Sequence, residues 1–163
     1  MSNMLWKKID QLQVQRKLVL GKTAVIAPDA NSDIKMGVSA NNSSLVFVTY
    51  YYDGTPAATN QAFFVAPRAM KIATMSQVHQ TAAGGVSTLT ITKDTGTTAP
   101  AAGTVIQTGS FDLNATANTV QNATLATAAA TLLLAAGDRL SVKFANAIQS
   151  SAGIVVTLGL TYV

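Results

Sequence analysis

A period of two governs the second half of this chain. Between Ser87 and Lys93, Leu89 and Ile91 alternate with Thr88, Thr90 and Thr92, and Leu140 to Phe144 repeats the pattern. Near the end, Ile154, Val156, Leu158, Leu160 and Tyr162 alternate with Val155, Thr157, Gly159 and Thr161. Successive side chains of a strand point to opposite faces, so this alternation reports sheets with one buried face. Leu45 to Tyr52 differs, because Leu45, Phe47 and Tyr51 on one parity and Val46, Val48, Tyr50 and Tyr52 on the other are all apolar or aromatic. A strand of that kind is expected to be covered on both sides. Asp53-Gly54 closes it with a turn.

Further strands are expected at Ala62 to Val65, Ala69 to Gln80, Thr104 to Phe111, Thr119 to Leu125, Thr131 to Leu134, Leu140 to Ala145 and Gly153 to Tyr162. Pro67, Ala82 to Gly85, Asp94 to Gly103, Asn114 to Asn118 and Gly137-Asp138 punctuate them. No long helical period intervenes, which predicts an all-β antiparallel sandwich, and about eight strands suits a jelly roll. Thr124 to Ala136 is rich in alanine and leucine, good helix formers, yet a hairpin through Gly137-Asp138 suits it equally; it is read as strand.

Before Leu45 the pattern changes. Met4 to Gln15 places Leu5, Ile9 and Leu12 at helical spacing, while Ala27 to Asp33 and Ser39 to Ser44 concentrate turn-forming residues. Residues 1–43 are therefore expected to be an extended or short-helical arm, and 44–163 a single β domain; 163 residues suffice for one full core.

Charge separates the same two parts. Residues 1–36 carry six Lys/Arg against three Asp, +3 of the net +4, leaving the body with five basic and four acidic side chains. So sparsely charged a body is poorly suited to life as a free monomer with open apolar surface, which favours an oligomer or a docked subunit. A trimer is expected ahead of a dimer. The arm residues Leu5, Trp6, Lys7, Lys8, Ile9, Leu12, Arg16 and Lys17 are the candidate partner-binding set, with docking on an acidic protein surface favoured over membrane or nucleic acid. The helix is too short and its stripe too narrow for a membrane interface. A body near +1 is too weakly charged for the phosphate term of nucleic-acid binding, despite Tyr50-Tyr51-Tyr52 with Arg68 and Lys71. No secretory h-region and no run of membrane-spanning length is found, so the chain is expected to be soluble.

Chemistry is scarce. There is no Cys and no Glu, and all seven acids are Asp, several in turn contexts that explain them before catalysis does. His79 is the single histidine, and Gly37-Val38-Ser39-Ala40-Asn41 lacks the second glycine of a nucleophile elbow. Asp29, Asn31 and Asp33 suggest a calcium loop, but Ile34 and Ala40 stand where an EF-hand needs glycine and a bidentate acid. Gly84-Gly85 and the Gly96 to Gly103 stretch lack the helix a phosphate cradle requires. No catalytic residue, cofactor or intrachain metal is expected, and His79 is read as strand-edge packing.

Four segments carry a resemblance: Ala62-Phe63-Phe64-Val65-Ala66-Pro67-Arg68-Ala69-Met70, Thr88 to Gly96 reading Thr-Leu-Thr-Ile-Thr-Lys-Asp-Thr-Gly, Asn118-Thr119-Val120-Gln121, and Ala136-Gly137-Asp138-Arg139-Leu140-Ser141. Together, across about residues 60–163, they resemble virion proteins of tailed bacteriophages, in particular small head decoration (cement) proteins with a jelly-roll body. The resemblance implies a non-enzymatic protein, made in the host bacterial cytoplasm, that binds the major capsid protein on the outer capsid surface and bridges its subunits as a homo-oligomer. A receptor- or carbohydrate-binding β-sandwich of a phage fibre is the alternative.

Overall fold

The computed structural model describes residues 45–54, 58–146, 148 and 150–163 in full, and three further strands between residues 18 and 37 by their backbone. The chain divides into two compact units, Met1–Ser43 and Ser44–Val163.

In the first unit, β1 (Leu18–Leu20), β2 (Ala24–Pro28) and β3 (Ile34–Gly37) form an antiparallel sheet in the order β1-β2-β3. This corrects the expectation of an extended or short-helical arm for that stretch. Ala27 and Pro28, read as loop, pair with Lys35 and Ile34 at the end of β2. Val25 and Ile26 supply the β preference there, and Pro28, which has no N–H to donate, stands where the ladder stops. The expected helix over Met4 to Gln15 lies outside the described residues.

The second unit is a β-sandwich. Its first sheet runs β11 (Gln121–Asn122), β6 (Met70–Val78), β15 (Ile154–Tyr162), β4 (Val46–Tyr52), with β13 (Leu133–Leu134) also on β6. Its second runs β10 (Phe111–Asp112), β7 (Thr88–Asp94), β14 (Arg139–Ala145), β5 (Gln61–Val65), with β8 (Thr104–Val105) on β7. A small ribbon pairs β12 (Thr124–Leu125) with β9 (Gln107–Thr108). The antiparallel pairs nest: β4 with β15, β5 with β14, β6 with β11, β7 with β10, alternating between the sheets. That is one long hairpin rolled into two sheets, a jelly roll.

The alternation places the core. Ile154, Val156, Leu158 and Leu160 of β15 meet Leu89, Ile91, Leu140 and Val142 of the other sheet, all fully buried. Burial of a large aliphatic side chain is worth about 1.5–3 kcal/mol each, so these alternating positions hold the sandwich together.

Three expected strands are broken. Thr104 to Phe111 becomes β8, β9 and β10, because Ile106 turns inward, donates its N–H to Ile91 O at 3.0 Å and accepts from Ala126 N–H at 3.0 Å. Thr119 to Leu125 changes partners at Ala123, whose N–H reaches Met75 O, so β11 serves β6 and β12 serves β9. Within Thr131 to Leu134, helix propensity prevails first: α1 (Ala129–Leu132) makes one turn before β13. Lys93 Nζ then donates to Ala130 O at 2.9 Å and Leu133 O at 3.1 Å, satisfying carbonyls that so short a helix leaves open.

Candidate interaction surface

Among the described residues, His79, Asp94, Asp112 and Asp138 are engaged in structural hydrogen bonds. His79 is fully buried, not at a strand edge as expected, with Nε2 3.0 Å from Ala115 O and Nδ1 3.1 Å from Gln77 Nε2. Both ring nitrogens are thereby engaged, so the imidazole holds β6 to the 115–118 segment and has no nitrogen left for a nucleophile. Asp112 accepts from Asn114 N–H at 2.8 Å, and Asp138 from Ala135 N–H at 2.9 Å, the turn roles expected of them. Among the described residues no three His or Asp side chains gather as a metal site.

One end of the outer face of the second sheet, around Thr92, Asp94 and Ser141, is covered by the chain itself. Asp94 and Thr92 on β7 lie beside Arg139 and Ser141 on β14, and the 95–103 loop folds over them. The Asp94 carboxylate accepts from Gly103 N–H at 2.8 Å, Ala101 N–H at 3.1 Å, the Thr92 hydroxyl at 3.1 Å and the Ser141 hydroxyl. Burial pushes this carboxyl up, but the four hydrogen bonds outweigh it and hold it below its ordinary value. From the other side, Arg139 Nη2 donates to Gly96 O at 3.0 Å and Thr98 O at 2.6 Å. An anion thus holds the loop's N–H groups and a cation its carbonyls. Thr92, Asp94 and Ser141 are consequently buried although they sit on the outward parity.

The outer face of the first sheet has no such cover among the described residues. β4 is its terminal strand. Tyr50 faces inward, packs on Phe63 at 5.5 Å between centroids, and accepts from Gln61 Nε2 at 3.1 Å. On the opposite parity Leu45, Phe47 and Tyr51 are 46%, 65% and 63% exposed. The strand expected to be covered on both faces is covered on one. Across the ladder Thr157 lies opposite Thr49, and Gly159 opposite Phe47. A Cβ on Gly159 would collide with Thr74 Oγ1 and press on Leu45 Cδ2 at 3.3 Å, so the missing side chain leaves room on the sheet for both, with Phe47 in ordinary contact beside them. In all described strands of this sheet Lys71 is the one charged residue.

This apolar, nearly uncharged face is the candidate site. The sequence-predicted set, Leu5, Trp6, Lys7, Lys8, Ile9, Leu12, Arg16 and Lys17, lies outside the described residues. Phe47 and Tyr51 were legible only as half of a two-faced apolar strand. The signal that marks them as open is the position of β4 at a sheet edge, which needs the topology.

No protein-family model and no curated protein matches the sequence. Among solved structures, a chain of the capsid of Ralstonia phage GP4 superimposes with a TM-score of 0.54 and 17% identity, covering 74% of this chain and 85% of that one. A chain of infectious bursal disease virus Gx strain covers 85% of this chain and 38% of that one at 16% identity, but its TM-score of 0.37 carries no argument. At 17% identity the first likeness establishes fold alone: the all-β jelly roll of this chain is of a kind also found in a phage capsid.

Proposed function

We propose that this chain is a structural virion protein that binds the outer surface of a phage capsid and reinforces it by bridging capsid subunits. The observation that carries the reading is the bare face around Leu45, Phe47 and Tyr51, apolar and with Lys71 the one charge in the described strands of its sheet. A surface of that kind serves contact and has no reactive group to offer a substrate. The likeness of the fold to a capsid chain supports the setting. A protein that binds assembled lattice and not free subunits shifts the equilibrium toward the lattice by mass action. The basic residues Lys7, Lys8, Arg16 and Lys17, with Leu5, Trp6, Ile9 and Leu12, are proposed as the docking segment on the major capsid protein, and the body as part of a homo-oligomer.

Exposed Phe47 and Tyr51 also give the carbohydrate-binding alternative a foothold, since aromatic rings stack on sugars. Sugar sites, however, add convergent polar groups to fix orientation. Here Thr49 and Thr157, paired with each other between the two rings, are the polar neighbours, and β4 and β15 carry no charged or amide side chain.

Mass spectrometry of purified virions should find the chain in many copies, and single-particle imaging should place it outside the shell across subunit boundaries. Removing residues 1–43 should leave the β body folded and weaken its sedimentation with heads that lack it. Absence from virions, or density at a fibre tip together with glycan binding, would overturn the reading.

A further inference from the structure

Side-chain charge in the β domain is sorted by end. Antiparallel pairing brings the start of β6 to the end of β15, and the start of β14 to the ends of β7 and β5. The 66–69 corner joins these two groups at one end of the sandwich, with Ala66 N–H on Asp138 O at 2.8 Å and Val163 N–H on Ala69 O at 3.4 Å. Arg68, Lys71, Lys93 and Arg139, four of the five Lys/Arg of residues 44–163, stand there with Asp94 and Asp138, so their side chains leave a net +2. Asp53, which follows β4, and Asp112, which pairs with Thr88, stand at the other end. The nine residues of β6 separate the ends by roughly 27 Å at about 3.4 Å per residue. That is some three times the roughly 8 Å screening length at physiological salt, so a partner at the first end meets positive charge that the far acids do not cancel.

Two of the four cations are committed within the chain. Lys93 donates to Ala130 O and Leu133 O, and Arg139 to Gly96 O and Thr98 O. Arg68 and Lys71 are exposed. The Arg68 guanidinium carbon lies 4.2 Å from the centroid of the Tyr162 ring, and among the described residues neither Arg68 nor Lys71 has a carboxylate partner. A guanidinium laid on an aromatic face uses none of its N–H donors in that contact, and it is held in place before any partner arrives. Lys71 projects from the outer face of the first sheet, in register with Leu133 on one side and Thr161 on the other, and so shares that face with Phe47. Leu133, Tyr162 and Val163 around these two cations are exposed.

We propose that Arg68 on its Tyr162 platform, with Lys71 beside it, is a docking point for carboxylates of an acidic protein surface, and that it continues the apolar face around Phe47 as one contact with the capsid lattice. The identity of the lattice as partner rests on the function proposed above; the chemistry of the site does not. An Arg fork takes a carboxylate in two parallel hydrogen bonds, and the Lys71 ammonium adds a second charge. Phosphate would satisfy the same fork, but nucleic-acid binding draws its affinity from many phosphate contacts, and two free cations on a domain whose other end is acidic supply few. Arg and Tyr set among apolar neighbours are instead the residues on which protein contacts most depend.

The test uses the full chain in two assays. In the first, an oligoglutamate peptide is titrated into the isotopically labelled protein at low salt, and NMR should show shifts at the Arg68 Nε–H and the Lys71 amide while the Asp53 and Asp112 amides stay in place. In the second, binding to heads that lack the chain is measured by sedimentation. Arg68→Gln with Lys71→Gln should weaken it about tenfold at low salt and less as salt rises, whereas Lys143→Gln, at an exposed position in the β14–β7 ladder, should change it less than about twofold. All three positions are exposed, and circular dichroism confirms folding. Oligoglutamate shifts confined to residues 1–43, a DNA oligonucleotide of equal charge that shifts Arg68 more strongly than oligoglutamate does, or heads that bind the double variant as tightly as the parent would each overturn the proposal, the last without touching the capsid reading. Oligoglutamate shifts at Arg68 in a parent protein that does not bind heads would support the site and refute the capsid as its partner.

Discussion

Replacing Asp94 with Asn tests whether the 95–103 loop is held by charge or merely by shape. The carboxylate receives two backbone N–H groups, Gly103 on Oδ1 at 2.8 Å and Ala101 on Oδ2 at 3.1 Å, and the hydroxyls of Thr92 and Ser141. The hydroxyls can rotate to accept instead of donate. The N–H groups cannot. Whichever way an Asn amide lies, its NH₂ faces one of them, and an orphaned buried N–H costs about 1–3 kcal/mol. The other N–H exchanges a charge-assisted bond for a neutral one, about 1 kcal/mol more. Against this, Asn removes a buried charge that no described cation pairs, a relief in principle. The sign is decided by the lowered carboxyl pKa: the folded state prefers the ionised form, so the hydrogen bonds exceed the burial penalty. The expected loss is about 2–4 kcal/mol, a fall in Tm on the order of 10 °C. Its pH dependence has a definite direction. A carboxyl depressed in the folded state stabilises above its ordinary value, 3.8, and that stabilisation is lost as pH falls through the folded value. Thermal or urea melts of the two proteins should therefore differ most near neutral pH and converge in acid. Equal stability at neutral pH, or a gap that widens with acid, would refute the assignment of the loop to this carboxylate.

Other expectations follow from the packing. Leu158→Asp puts an unpaired charge at a fully buried position and should abolish folding by circular dichroism, whereas Thr157→Asp on the outward parity of β15 should still fold. Gly103→Ala would drive a methyl into Lys93 O and Asp94 Oδ1, so it should cost about 3 kcal/mol in urea melts. Gly85→Ala, with nothing within 4 Å, should stay within about 0.5 kcal/mol of the parent.

The long strands were legible because period two is a local signal: β6, β7, β14 and β15 fall within a residue or two of the expected bounds, and their number and spacing led to the jelly roll. The turn roles of Asp112 and Asp138 were legible for the same reason, since each binds backbone two or three residues away. The β8 to β12 pieces were not, because two-residue strands have no period to read and their ends are decided by distant partners such as Ile91 and Met75. The Asp94 hub joins residues 47 apart, Asp94 and Ser141, through a ladder that exists only once β7 lies on β14.

The two outer faces show where local pattern stops informing. Outward positions of β7 read Thr88, Thr90, Thr92 and Asp94, polar enough to suggest solvent, and yet Thr92 and Asp94 are buried beneath the chain's own loop. Outward positions of β4 read Phe47, Thr49 and Tyr51, with Leu45 just before them; the three large apolar or aromatic ones suggest burial, and they stand open. A side chain's polarity states what surroundings it tolerates, and topology decides whether this chain supplies them. On β7 the loop brings enough donors to make polar burial stable. On β4 nothing described supplies an apolar cover, and leaving large rings in water forgoes about 1.5–3 kcal/mol for each that a contact could bury. That unspent stabilisation is what a second molecule can use, so the residues at which the sequence expectation failed are the ones to follow into the assembly.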